Sequence, residues 1–194
     1  MSIEYDPDGT VGEALHVYLK AYGLGDYNDA YQIIKLFGFV PAPLPNPPAR
    51  KRALRRHDLN HVLGSYDAVG TSGELDIAGF EIGARGGCRD YWVAWGINLF
   101  FFGFGMLLRP KQLFRAFVRS RGARNAYSLP DVEGDFLNRR LAAVRAELKI
   151  PDRVPAPERA DRWMFSFWAC LSLLLVLGSG AVLVGLAMML ARLV

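Results

Sequence analysis

Residues 163–191 contain no charged side chain, and this run constrains the fold more than any other feature of the chain. Residues 165–190 are mostly Leu, Val, Ala, Met and Gly. A helix of about 20 apolar residues crosses the hydrocarbon core of a bilayer. The sequence therefore predicts a C-terminal transmembrane helix over 163–191. That helix explains much of the high hydrophobic content, which is 52% of the 194 residues.

Prolines and charges divide the rest of the chain. Prolines at 151, 155 and 157 predict a linker over 153–162, between a folded domain over 1–152 and the anchor. The basic residues on the N-terminal side of the run are Arg139, Arg140, Arg145, Lys149, Arg153, Arg159 and Arg162, whereas only Arg192 follows it. The positive-inside rule then predicts a single C-terminal pass with the folded domain in the cytoplasm. The first residues show no basic region typical of a secretory signal.

Apolar spacing predicts helices through most of the domain. Thr10 and Glu13 form a capping-box pattern at the start of the first. The predicted helices are Val11–Leu24, Ala30–Phe37, Pro48 to about Tyr66, Glu74–Ala84, Tyr91–Leu108, Lys111–Arg121 and Asp135–Lys149. No convincing alternating strand is visible, and the prolines between 41 and 48 indicate an extended loop. We therefore expect an all-α fold: a multi-helix lipid-binding domain with a metal-binding helix, plus the transmembrane helix.

The segment Tyr91–Leu108 is uncharged and rich in aromatic rings. Its length is at the lower limit for a membrane span, so the sequence leaves open whether it enters the bilayer. We favour a core helix that lines an apolar lipid pocket. Trp92, Trp95 and Phe101 are its candidate substrate-binding residues.

Two of the three histidines, His57 and His61, are four residues apart and are the main candidates for metal ligands. Four residues advance a helix by about 400°, so both imidazoles lie on one face. Asp58 follows the first histidine directly, and Glu74 opens the next predicted helix. A histidine pair at this spacing chelates a transition metal, and carboxylates complete the set. Glu74 also fits a helix-capping pattern that begins at Thr71.

Two histidines and two carboxylates suit Zn²⁺ or another divalent first-row metal. Four protein ligands would make a structural site, whereas catalysis needs an exchangeable position. If Asp58 lies outside the ligand set, it could orient a histidine or act as a general base. Glu81 lies two turns after Glu74 on the same helix face. It is a candidate to support a metal ligand from behind without binding the metal itself. The catalytic residues are otherwise unknown at this stage.

Basic residues also cluster at 50–56 and 109–124 and give the chain a net charge of +4. These clusters could meet anionic headgroups or an anionic substrate. No recognition motif accompanies them, so nucleic acid is not an expected partner. Cys88 and Cys170 are not expected to form a disulfide, because the second lies in the predicted span.

The string Arg56-His57-Asp58-Leu59-Asn60-His61, followed by Gly73-Glu74-Leu75, resembles a specific family. It is similar to the fourth of the coenzyme Q (ubiquinone) biosynthesis proteins, which carry an HDxxH motif and then a Glu about a dozen residues on. The similarity covers Val11 to Ile150. Twelve residues separate His61 from Glu74 here, one more than is usual in the family, and the C-terminal anchor lies outside the family pattern.

The resemblance implies an all-helical protein that binds zinc through His57, Asp58, His61 and Glu74. It also implies an apolar cavity for an isoprenoid chain and assembly with other ubiquinone biosynthesis enzymes. A homodimer is left open. The activity attached to the family is oxidative decarboxylation at C1 of a polyprenyl benzoate ring, with hydroxyl replacing carboxylate. The metal would then engage the substrate carboxylate, helped by Arg55 or Arg56.

Two other interpretations remain at the level of sequence. The protein could be a non-catalytic scaffold that binds a prenylated lipid and presents it to partner enzymes. It could also be an HDxxH zinc hydrolase or protease, with Asp67 as third ligand and Asp58 in place of the usual glutamate. Phosphohydrolases with an HD doublet need further histidines, and His16 is the only other one.

Overall fold

The computed structural model describes residues 3–24, 30–36, 40–67, 70–85, 87–88 and 92–191. Within those residues the fold is dominated by helices, as predicted. Seven α-helices are present: α1 (Val11–Tyr22), α2 (Pro48–Gly64), α3 (Gly70–Gly83), α4 (Trp92–Leu108), α5 (Pro110–Ser120), α6 (Leu141–Glu147) and α7 (Arg159–Ala191). Short 3₁₀ helices cover Ala126–Ser128 and Gly134–Asn138, and a two-stranded hairpin joins α1 to α2.

Local signals set the ends of α1 and α2. The capping box at Thr10 and Glu13 is confirmed, and Gly23 ends α1 in the left-handed conformation that favours glycine. Pro48 is the first residue of α2. Proline lacks an N–H, and this costs nothing at the start of a helix because the first N–H groups have no intrahelical acceptor. The predicted bounds of these two helices are therefore correct to within about two residues.

The predicted helix Ala30–Phe37 is wrong over residues 30–36, and Phe37 lies outside the described residues. Tyr31–Leu36 forms β1, which pairs antiparallel with β2 (Val40–Pro45), within the predicted proline-rich loop. The backbone N–H of Asn46 donates to the Ala30 carbonyl, so the proline pairs fall at the non-hydrogen-bonded positions of this ladder. Every missing proline donor thus faces the outer edge, where a sheet tolerates proline.

The single helix predicted over Asp135–Lys149 is also interrupted. It divides into a 3₁₀ helix, Gly134–Asn138, and α6. Between them, the Arg139 carbonyl accepts a hydrogen bond from the Val11 N–H, and Arg140 bridges to Thr10. This pairing with the start of α1 takes the backbone out of helical geometry.

Two hydrophobic cores lie on either side of α3. The first is formed by α1, α2, α3, α6 and the segment 123–150. The second is formed by α3, α4, α5 and the first part of α7. Phe80 of α3 belongs to the first core, whereas Ala78 and Ile82 belong to the second. Helix α3 therefore connects the α2 region to the α4–α7 region.

Helix α7 begins at Arg159, inside the predicted linker, and continues to Ala191. It is long and apolar enough to cross a membrane. Within Arg159–Val182, an 18-residue window has a mean hydropathy of 1.9, and only 11% of that window is buried inside the protein. Its buried and half-buried residues lie at 161, 165, 168, 169, 172, 173, 176 and 179, which is helical spacing. We call this row the α7 seam, and it faces α4 and α5.

Candidate metal centre

Helices α2 and α3 bring three of the predicted ligands together. The ligand atoms of His57, His61 and Glu74 all lie within 4.8 Å of one another. Both histidines come from one face of α2, as their spacing predicts, and Glu74 comes from the second turn of α3. This group could hold a metal ion.

The spacing of the three donors suits tetrahedral coordination. His57 Nε2 lies 3.2 Å from His61 Nε2 and 3.2 Å from Glu74 Oε2. His61 Nε2 lies 3.7 Å from Glu74 Oε1. Bonds of about 2.0–2.2 Å around a tetrahedral metal place neighbouring donors about 3.3 Å apart. The two imidazole nitrogens and the two Glu74 oxygens, each oxygen beside one histidine, are therefore already close to the edge lengths that such an ion requires.

The opposite ring nitrogens fix which atoms face the centre. His57 Nδ1 donates to Glu81 Oε1 at 3.1 Å, and His61 Nδ1 donates to the Tyr66 carbonyl at 3.3 Å. Oxygen atoms of these kinds only accept, so the hydrogens belong on Nδ1. Both Nε2 atoms then face the centre, where each offers its lone pair to a metal once it carries no proton. A carboxylate or carbonyl behind each histidine is the usual support for a metal-ligating imidazole.

Glu81 is the centre of a buried network behind His57. Its side chain is fully buried, and Oε1 also accepts a hydrogen bond from Asn60 Nδ2 at 2.7 Å. Asn98 of α4 donates to Oε2 from the other side. A buried carboxylate is costly unless hydrogen bonds satisfy it, and here two amides and one imidazole do so. Glu81 thus holds the His57 ring in place.

The surroundings favour a positive charge on His57 and a neutral His61. Burial alone would lower the pKa of His57, but the carboxylates of Glu81 and Glu74 together raise it well above its usual value. Burial and the neighbouring His57 lower the pKa of His61 to about 4. Burial would raise the pKa of Glu74, but the two histidines lower it to about 2. A cation of some kind is therefore favoured between these three side chains.

The other two candidate ligands are not members of this group. Asp58 is buried one residue after His57, rotated by about 100° on the helix. Burial raises the pKa of Tyr127, and the charges of Glu81 and Asp58 add to that effect, so Asp58 lies near Tyr127. Asp67 accepts a hydrogen bond from the Tyr22 hydroxyl at 3.2 Å. Asp58 as fourth ligand stays a prediction.

The two candidate arginines fasten α2 to the segment that follows the 3₁₀ helix at 126–128. Arg56 is buried and donates to the carbonyls of Leu129 and Pro130, each at 3.3 Å. Arg55 forms an ion pair with Glu133 at 2.7 Å. Both guanidinium groups therefore have structural contacts, and their binding of a substrate carboxylate stays a prediction.

The aromatic candidates on α4 lie towards α7 or towards the outside. The Trp95 ring meets the Trp168 ring edge to face at 5.5 Å, and Phe101 packs against the second core. Trp92 is 81% exposed. We expected α4 to lie beside the metal-binding helix. It does approach the metal group, and the side chain that makes the contact is the polar Asn98, which donates to Glu81.

Sequence reasoning missed Asn60 and Asn98. Asn98 is the only amide or charged side chain in α4, and a single polar residue in an otherwise apolar helix is a signal of a buried partner. Asn60 links the two elements further, because its Oδ1 accepts the Ala126 N–H at 2.7 Å. Only the packing of α2, α3 and α4 shows that both amides converge on Glu81.

Comparisons with protein-family models, curated proteins and solved structures find no match. The fold and the site define a helical protein with a candidate His-His-Glu metal centre and a helix long enough to span a membrane. Its function must be argued from that geometry.

Proposed function

We propose that the chain is a membrane-anchored metalloprotein of ubiquinone biosynthesis. Its activity is the metal-dependent oxidative decarboxylation of a polyprenyl benzoate, in which the ring carboxylate at C1 leaves as carbon dioxide and a hydroxyl replaces it. Dioxygen is the oxidant: it takes up the two electrons released and leaves as hydrogen peroxide, while water supplies the hydroxyl. The supporting observation is the group of His57, His61 and Glu74, with Glu81 behind it, at the spacing of the HDxxH motif and its following glutamate.

The group supplies three protein ligands, which is the number typical of a catalytic metal. Its side chains also reach solvent, since His57 is 18% and Glu74 32% exposed. A structural site is closed by four protein ligands, so partial exposure with three favours an exchangeable position. Two imidazoles and one carboxylate suit Zn²⁺, and other divalent first-row metals share this ligand preference.

A bound metal would supply a positive charge able to polarise a substrate oxygen. The residues of the chain have separate roles around it. Glu81 orients His57, and the Tyr66 carbonyl orients His61. Glu74 balances the charge of the centre from α3. The substrate class follows from the membrane-span helix and the uncharged α4, which favour a lipid such as an isoprenoid quinone precursor.

The same features support a cellular arrangement. The basic residues ahead of α7 favour a cytoplasmic domain with a single C-terminal pass. The precursor, the membrane and the other enzymes of ubiquinone synthesis are the proposed partners. Cytoplasmic protease access to residues 1–160 in sealed membranes is expected, and protection of that region would contradict this topology.

Metal analysis of purified variants tests the ligand set. We expect His61→Ala and Glu74→Ala each to lose bound metal, because three ligands are the minimum for tight binding of this type. Asp67→Ala is the control, since Asp67 bonds to Tyr22 instead. Loss of metal with Asp67→Ala and retention with Glu74→Ala would favour the protease-like ligand set.

An activity assay separates the enzyme from the scaffold. The metal-loaded protein is incubated aerobically with a carboxylated polyprenyl phenol, and mass spectrometry follows loss of the carboxyl group and gain of hydroxyl. The His61→Ala variant serves as the inactive control. Substrate binding without conversion would refute the enzymatic proposal and favour a lipid-presenting scaffold.

A further inference from the structure

Helix α4 has an apolar side that the described part of the chain leaves exposed. Leu107 is 56% and Leu108 62% exposed, and both lie at its C-terminal end. Ile97 and Phe100 are exposed on the same side, since the four residues fall within about 100° around the helix. Single exposed hydrophobic residues are ordinary, but a continuous set along one helix marks an interaction surface.

This helix runs beside α7 and in the same direction. The Trp95 ring contacts Trp168, and further along Gly103 contacts Ser172 and Val176. A Cβ on Gly103 would lie 2.7 Å from the Ser172 carbonyl oxygen, so the glycine is what allows the two backbones to approach. The end of α4 is therefore fixed at the level of residues 172–176 of α7.

The length of a membrane span determines what surrounds that level. A span needs about 20 residues, and any window of that length within the uncharged run 163–191 contains residues 172–182. Ser172 and Val176 are thus part of the span wherever it begins. Since Gly103 contacts both, we infer that the C-terminal end of α4 enters the bilayer beside α7, with Leu107 and Leu108 in contact with acyl chains.

Charged residues after α4 limit the depth of this insertion. Lys111 and Arg115 are exposed on α5, which turns back from the α4 end. Cations avoid the hydrocarbon but extend readily to phosphate groups. Leu107 and Leu108 lie about one helical turn beyond Gly103, roughly 6 Å further along the axis. The insertion is therefore shallow, with the leucines below the headgroups and the two cations among them.

The inserted end also lies close to the metal group along the chain fold. Arg109, directly after α4, pairs with Asp76 at 3.4 Å, and Asp76 is two residues after Glu74 on α3. A lipid-borne molecule at the α4 end would therefore be near the helix turn that carries a ligand. The insertion itself rests on the proposed span of α7 and not on any metal chemistry.

Depth-dependent quenching of a fluorophore tests the insertion. The full-length protein with Cys170→Ala is reconstituted into vesicles of phosphatidylcholine and phosphatidylglycerol, and an environment-sensitive dye is attached through Leu108→Cys. Cys88 is buried, and the parent without a new cysteine measures its background labelling. Leu177→Cys on α7 and Val17→Cys on α1, both exposed sites, are the membrane and water controls.

We expect blue-shifted emission at Leu108→Cys that is quenched by lipids carrying a quencher on the acyl chain, as at Leu177→Cys. The label at Val17→Cys should remain unquenched. Unquenched, water-like emission at 108 with quenching at 177 would overturn the inference. So would apolar emission at 108 without lipid quenching, which would show that a second copy covers the surface. Absence of quenching at 177 would show that α7 does not span the membrane, and the inference would then be wrong. Leu107→Cys, exposed at the same end of α4, repeats the test if Leu108→Cys does not fold.

Discussion

Replacing Glu81 by glutamine should weaken metal binding without unfolding the protein. The carboxylate accepts hydrogen bonds from His57, Asn60 and Asn98. Glutamine keeps the volume, but its amide nitrogen donates, so at least one of these donors faces another donor. The loss of negative charge behind His57 also makes its Nε2 a weaker ligand. Changes of this kind reduce metal affinity by about 10–100-fold, or roughly 1.4–2.7 kcal/mol.

Competition for Zn²⁺ against a chromophoric chelator measures this change. Circular dichroism must show unchanged helix content, because a mispaired buried donor also costs about 1–3 kcal/mol of stability. Glu4→Gln makes the same chemical change at an exposed site and should leave affinity unaltered. If folded Glu81→Gln bound zinc as tightly as the parent, Glu81 would have no role in positioning His57.

Three further predictions concern pH, helix packing and the docking of α7. Since neighbouring carboxylates raise the pKa of His57, a metal must displace its proton, so zinc affinity should rise with pH across the neutral range, as chelator competition can show. Gly83→Ala should destabilise the fold by about 1–3 kcal/mol in thermal unfolding, because a Cβ there would lie 2.5 Å from the Phe117 carbonyl oxygen. Gly96→Ala, where a Cβ meets no atom of the described structure within 4 Å, should cost nothing, and equal losses at both sites would contradict the packing argument. Asp161→Ala removes the acceptor of the Arg121 guanidinium, just after α5, at 2.5 Å and of the Glu158 backbone N–H at 2.7 Å. Trypsin should therefore cleave the start of α7 faster, and an unchanged rate would show that other contacts hold it.

Local sequence signals predicted the parts of the fold that depend on neighbouring residues. The α1 capping box, proline at the start of α2 and the i,i+4 histidine pair each act within one helix turn or two. Glu74 illustrates the limit of such signals, since a helix cap explained it equally well. Helix α3 begins at Gly70, and the Glu74 carboxylate points to the two histidines of α2.

Long-range pairing accounts for what the sequence did not predict. Ile33 and Ile34 fit a short helix or a strand, and the register against the prolines of β2 decides the outcome. Residues 139 and 140 have helical surroundings, but their hydrogen bonds to the start of α1 break the helix. Asn98 approaches Glu81 only after α4 packs on α3. Tertiary contacts of this kind leave no periodic signal in the sequence.

Because α7 is one continuous helix, a displacement at one end moves the other end as well. The helix passes without a break from its seam against α4 and α5 to Ala191, so the described structure has no hinge along it. Packed interfaces transmit displacement. A thinner or thicker bilayer changes the tilt of a spanning helix, and such a tilt would move α4 through Trp95 and Gly103. Asn98 lies between these two contacts and touches Glu81, so bilayer thickness has a mechanical route to the His57 ring.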